Sequence, residues 1–247
     1  MRSPTSRILE EQPVSGGTRL CLELRGRSGT FPAILQLPQG VAHAPAALLL
    51  HGFSSRGAVM AGTVGQALLR HGVASLAPDL PLHGTRGNSH DLQSLRQPLE
   101  AVRLWRLALQ EAEAATAYLR AHVAVDGSRV GAVGYSLGSF LALMLAARQP
   151  EVRAVVLAAG GDLPQHPVLT PLARPIADPL RAVRQLAGRP LLMVNGRHDP
   201  VIRPEQAERL FAAAREPKEL RWWEGGHTLS PAATLDAARW LARTLGA

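Results

Sequence analysis

A chain of 247 residues with 46% hydrophobic content can bury a large core and is too apolar for a disordered class. No run approaches the roughly 20 apolar residues of a membrane span, and the single cysteine, Cys21, excludes an internal disulfide framework or a multi-thiolate metal site. The net charge of +8 is carried by arginine, Lys218 being the only lysine. The arginines are scattered without aromatic interleaving, so neither nucleic acid nor a membrane is an expected partner.

Residues 1–15 are polar, contain Pro4 and Pro13, and read as a loose arm. They lack the apolar core of a secretory signal, so a cytoplasmic location is expected. Residues 18–25 (TRLCLELR) and 30–37 (TFPAILQL) read as the strands of a hairpin around a turn at 26–29. Cys21 lies in that alternating run and reads as a small buried side chain rather than a nucleophile. Residues 46–50 are a continuous apolar run that opens into His51-Gly52-Phe53-Ser54-Ser55-Arg56-Gly57, and 59–71 has helical spacing. A short strand at 73–77 leads into Pro78-Asp79-Leu80-Pro81-Leu82-His83-Gly84. A polar loop runs to about Ser94, and a helix covers much of 95–122, with a break expected near Pro98.

The second half alternates regularly. Strands are predicted at 129–133, 152–158, 190–195 and 219–223, and helices at 139–148, 179–187, 204–214 and 230–245. Strand and helix alternation from residue 46 onward implies an α/β class, with a mostly parallel sheet covered by helices on both faces after an antiparallel N-terminal hairpin. No linker, repeat or composition break divides 1–247, so a single domain is expected. Room for a lid exists only at 85–95 and at 160–179, where Pro164, Pro167, Pro171, Pro175 and Pro179 fall. Any cap is small.

Between a predicted strand and a predicted helix stands Gly134-Tyr135-Ser136-Leu137-Gly138. A Gly-rich turn with a Ser cap can produce the same pentapeptide. The strand before and the helix after supply the context in which a serine is lifted clear of a sheet on a strained turn. Its hydroxyl then faces a helix N-terminus, where free N–H groups favour developing negative charge. In open α/β sheets the site lies at the C-terminal ends of the strands. The polar residues at such ends are His51, Asp79, His83, Ser136, Asp162, Asn195, His198, Asp199, Glu224 and His227.

Ser136 in Gly-Tyr-Ser-Leu-Gly, Asp199 in Asn-Gly-Arg-His-Asp-Pro and His227 in Glu-Gly-Gly-His-Thr together resemble the nucleophile, acid and base of the α/β-hydrolase family, in that family's order. The likeness covers roughly residues 18–247. It implies that His227 takes the Ser136 proton and that Asp199 fixes the imidazole tautomer. The backbone N–H groups of Phe53 and Leu137 would meet the oxyanion. Asp162 competes for the acid position, as a residue after the preceding strand. His51 and Asp79 read as structural, and His83, Met60 and Leu80 as substrate contacts at the strand ends.

The loops resemble those of compact dienelactone-hydrolase-like members and small bacterial esterases. That group often carries cysteine where Ser136 stands. The implied activity is hydrolysis of a small carboxylic ester, of short to medium acyl chain, through an acyl-enzyme with no cofactor or metal. Amide or peptide cleavage, thioester hydrolysis or acyl transfer on the same triad, and ligand binding without turnover, remain the alternatives.

Overall fold

The computed structural model describes residues 5–87, 98–167 and 169–247. The strands are β1 (Ser6–Val14), β2 (Gly17–Arg25), β3 (Thr30–Pro38), β4 (Ala44–Leu50), β5 (Ala74–Pro78), β6 (Val125–Tyr135), β7 (Val152–Ala158), β8 (Leu191–Gly196) and β9 (Lys218–Trp223). They form one sheet in the order β1-β2-β3-β5-β4-β6-β7-β8-β9. Pairing is antiparallel from β1 to β5 and parallel from β5 to β9. The helices are α1 (Gly57–Met60), a π-helical turn (Ala61–Gly65), α2 (Gln66–Leu69), α3 (Pro98–Ala121), α4 (Leu137–Arg148), α5 (Leu169–Ala173), α6 (Pro179–Arg184), α7 (Pro204–Ala213) and α8 (Pro231–Thr244). Among the described residues no helix is long and apolar enough to cross a membrane.

The apolar patterns follow from what covers each strand. β4 has helices over both faces, so every residue from Ala44 to Leu50 is buried and the run is continuously apolar. β2 alternates, burying Leu20, Leu22 and Leu24 on one side only. One core joins Leu48, Leu109, Leu141, Val183 and Leu210, beneath α3, α4, α6 and α7. The other joins Leu49, Met60, Val133, Val156 and Leu241, beneath α1, α2 and α8. Truncating one such leucine to alanine typically costs about 2–5 kcal/mol. Helix starts carry their own signals: Ser230 caps α8 by accepting the Ala233 N–H at 3.1 Å, with Pro231 at the first helical position.

Two expectations differ from the fold. Residues 6–14 are not a loose arm but the edge strand β1, paired antiparallel with β2 from Ser6↔Leu24 to Val14↔Gly17, with a register shift between Ile8 and Glu10. Most of β1 is solvent-exposed, so it has no buried face to write an alternating pattern, and backbone bonds hold it instead. The helix expected at 59–71 starts earlier and has a π-helical turn in its middle, where Gly65 lies against β3 and β5. A Cβ at Gly65 would sit 2.2 Å from Gln36 Oε1. From Pro98 to Ala121 α3 runs unbroken, and residues 95–97, where the helix and its break near Pro98 are expected to start, lie outside the described residues. Most of the polar loop expected before it, and with it His90, lies outside the described residues.

Candidate active site

β6 ends at Tyr135, and α4 starts at Leu137. Ser136 between them has φ 50° and ψ −114°, a conformation that costs a non-glycine residue of order 1–3 kcal/mol. Its surroundings hold it there. The Ser136 N–H donates to Ala158 O on β7 at 2.9 Å, and its carbonyl accepts from the Ser139 N–H at 2.9 Å and from the Ser139 hydroxyl at 2.6 Å. Both flanking glycines are sterically required. A Cβ at Gly134 would lie 2.1 Å from Gly138 O, and one at Gly138 would lie 2.0 Å from Leu50 O. Two backbones therefore meet under the serine as no side chain would allow.

His227 comes from the loop after β9, and Asp199 from the loop after β8. The His227 Nε2 atom is 2.9 Å from Ser136 Oγ, and Nδ1 is 2.8 Å from Asp199 Oδ2. Asp199 is 3% exposed, and its other oxygen accepts the N–H groups of Val201 at 2.8 Å and Ile202 at 3.0 Å. A carboxylate so held accepts from Nδ1–H, which leaves Nε2 as the lone-pair nitrogen facing the serine. Tyr135 donates its hydroxyl to the His227 carbonyl at 2.8 Å. Burial raises the Tyr135 pKa, so the phenol stays a donor.

The loop after β4 brings Gly52 and Phe53 against this turn. A Cβ on Gly52 would lie 2.8 Å from the Tyr135 ring and 3.4 Å from Ser136 Cβ. Leu137 is the first residue of α4, so no carbonyl one turn earlier engages its N–H. Behind the loop His51 is fully buried. Its Nε2 accepts the Leu80 N–H at 3.0 Å, so its proton sits on Nδ1, which donates to Gly52 O at 2.8 Å. Burial pushes the His51 pKa down to about 4. Asp79 accepts the Gly57 N–H at 2.7 Å at the start of α1.

A cavity of about 660 Å³ opens at Ser136 and His227. Of the three side chains expected to touch substrate, Met60 lines it; Leu80 and His83 do not. Leu80 is 3% exposed and packed in the core under α3 and α4. His83 is 2% exposed, with Nδ1 2.8 Å from Pro81 O and Nε2 2.6 Å from Phe53 O, so both ring nitrogens face backbone carbonyls rather than the cavity. Asp162 sits apart from His227, its buried carboxylate spanned by Arg174 Nη2 at 3.0 and 3.1 Å and approached by Arg209 at 3.3 Å. These bonds fasten the 160–179 segment to α7. His198 is largely exposed beside Glu224, and Asn195 donates to Gly160 O. Not foreseen were the cavity walls from Thr63, Val133, Val156, Thr234, Ala237 and Ala238. Each of these reads in the sequence as an ordinary core or helix residue.

Known proteins are similar to this chain in sequence and fold. Residues 31–228 match the model of the dienelactone hydrolase family. Esterase YjfP of Escherichia coli is 28% identical over 228 residues, covering 78% of this chain and 86% of that protein. A carboxymethylenebutenolidase of Pseudomonas putida is 36% identical over 131 residues, 51% of this chain and 54% of that protein. Among solved structures, acetyl xylan esterase 1 of a Thermoanaerobacterium species superposes with a TM-score of 0.76 over 98% of this chain and 88% of that one. At 19% identity that likeness shows the α/β-hydrolase fold alone.

Proposed function

The chain belongs to the dienelactone hydrolase family, and from that premise we propose that it hydrolyses carboxylic esters through an acyl-enzyme on Ser136, with His227 as base and Asp199 as its orienting acid. One observation carries the assignment: an unbroken hydrogen-bonded chain from Ser136 Oγ through His227 to Asp199, at 2.9 and 2.8 Å. The esterase name of the Escherichia coli relative supports the reaction class.

Ser136 Oγ attacks the ester carbonyl carbon while its proton passes to His227 Nε2. The carbonyl oxygen becomes an oxyanion that meets the N–H groups of Leu137 and Phe53, each such donor being worth roughly a hundredfold or more in rate. The tetrahedral intermediate collapses, the C–O bond to the alcohol breaks, and the imidazolium returns its proton to the departing oxygen. Water then repeats the cycle on the acyl-enzyme: His227 removes its proton, the acid leaves, and Ser136 is re-protonated. Nothing in these steps calls for a metal or cofactor. The apolar walls of the cavity favour acyl chains of short to medium length over charged substrates.

The test is fluorophosphonate labelling and p-nitrophenyl acetate turnover on the wild type and Ser136→Ala, side by side. Label and turnover should both be present in the wild type and both vanish in the variant. Turnover that survives in Ser136→Ala sinks the assignment. Saturable ligand binding without label or product would favour a receptor built on this fold.

A further inference from the structure

The cavity does not stop at the nucleophile. It continues down one face of the sheet, between the π-helical turn and α8, to Val133 on β6 and Val156 on β7. We propose that this continuation is an acyl channel for straight, uncharged aliphatic chains of about six to eight carbons, with Ala237 and Ala238 setting its length. The proposal rests on the hydrolase reading above, and it names the substrate class of that same site.

Two walls give the same depth. Val133 precedes Ser136 by three residues on an extended strand, which at about 3.3 Å per residue places it ~10 Å below the serine. Ala238 follows Pro231, at the mouth end of α8, by seven residues, which at about 1.5 Å per residue is again ~10 Å. C–C bonds are about 1.5 Å long, and a zigzag chain advances somewhat less than that per carbon, so roughly eight carbons reach the floor. Alanine on the α8 wall leaves this space open. Ala237 and Ala238 are 7% and 2% exposed, and a larger side chain at either would project into the cavity they line.

The chemistry of the walls is as specific as their depth. No Asp, Glu, Lys or Arg is among the described residues that line the cavity. The two threonines on opposite walls have turned their hydroxyls inward to their own helices. Thr63 Oγ1 donates to Val59 O at 2.7 Å, and Thr234 Oγ1 donates to Ser230 O at 3.1 Å. Each of these two hydroxyls is thereby satisfied within its own helix, so neither helical wall offers its threonine as a donor to a polar acyl group; the other lining hydroxyls, of Ser54, Ser55 and Thr228, belong to the loops that carry Phe53 and His227. An acyl group bearing a carboxylate would enter this space with no counter-charge to replace its water, at a prohibitive cost. Straight methylene chains give up no polar hydration on entering and shed apolar surface from water.

The test is a p-nitrophenyl ester series, from acetate through butanoate, hexanoate and octanoate to dodecanoate, on the wild type, Ala237→Leu and Ala238→Leu, with fluorophosphonate labelling alongside. In the wild type kcat/KM should rise by roughly fourfold per added methylene until the channel is filled, peak at hexanoate or octanoate, and fall for dodecanoate. In either leucine variant the octanoate-to-acetate ratio of kcat/KM should fall at least tenfold, because the floor has been raised. A wild type that labels and hydrolyses acetate best, with activity declining along the series, overturns the channel while leaving the hydrolase intact, and it does so even if neither variant folds. An unchanged ratio in a folded variant overturns it too. Absence of both label and turnover for every ester overturns the hydrolase reading and the channel with it.

Discussion

His51 Nδ1 donates to the Gly52 carbonyl at 2.8 Å, and that carbonyl belongs to the same peptide unit as the Phe53 N–H. A trans peptide points its carbonyl and its N–H in opposite directions. Holding the carbonyl against His51 therefore aims the Phe53 N–H the other way, at the proposed oxyanion position. The other face of His51 is locked by the Leu80 N–H, so the tautomer that can donate to Gly52 is the one enforced. His83 Nε2 lies 2.6 Å from the next carbonyl, that of Phe53. Two buried histidines that do not line the cavity thus flank the peptide whose N–H is the proposed oxyanion donor.

His51→Gln should then lower kcat by roughly ten- to a hundredfold with KM changed by no more than a few-fold, the loss belonging to transition-state stabilisation. Steady-state kinetics and the rate of fluorophosphonate labelling check it. A purely structural role would reduce the fraction of enzyme that labels and leave the rate of the remainder unchanged.

The same burial makes His51 a source of acid sensitivity. Its pKa falls from the ordinary 6.5 to about 4 on folding. Above pH 6.5 it is neutral in both states and contributes no pH dependence. As pH falls from 6.5 toward 4 the unfolded chain takes up a proton that the folded chain refuses, so stability drops, by about 3 kcal/mol in total, and levels off below 4. Urea unfolding at pH 7 and pH 4.5 should show the wild type losing more stability than His51→Gln. Equal losses would place the acid sensitivity elsewhere.

Asp199 and Asp162 are both buried carboxylates at strand ends, and their partners separate them. Asp199→Asn should cut kcat by about 10⁴, since an amide opposite Nδ1 favours the wrong imidazole tautomer. Asp162→Asn should leave kcat within a few-fold. It should lower stability by about 1–3 kcal/mol, a range reduced because Arg174 and Arg209 are each partly exposed. Kinetics and urea melts on both variants decide it, and the reverse pattern would make Asp162 the acid.

Gly138→Ala tests the turn itself. A methyl group 2.0 Å from Leu50 O must push α4 away from β4. Activity should fall by at least a hundredfold, and thermal unfolding should move downward by several degrees. An active, equally stable variant would show that the turn tolerates movement.

Much of this protein is written locally in its chain. The parallel strands are legible because burial on both faces demands continuous apolar runs, such as residues 46–50 and 154–158. Ser136 and Asp199 stand out because each follows such a run, and His227 because it follows the last strand, at the rim where an open α/β sheet collects its chemistry. What is not legible depends on partners distant in sequence. β1 is invisible because an exposed edge strand is held by backbone bonds to β2, which any residues can make. Leu80 and His83 stand in the right stretch, yet the path of the chain after β5 turns them behind the oxyanion loop rather than into the cavity. Spacing along the chain determines which residues reach the rim of the sheet. How deep a space opens beneath Ser136 is decided only when the π-helical turn and α8, more than a hundred and fifty residues apart, pack on one face with small residues between them. Void volume is a property of two surfaces together, and neither segment's sequence records it alone.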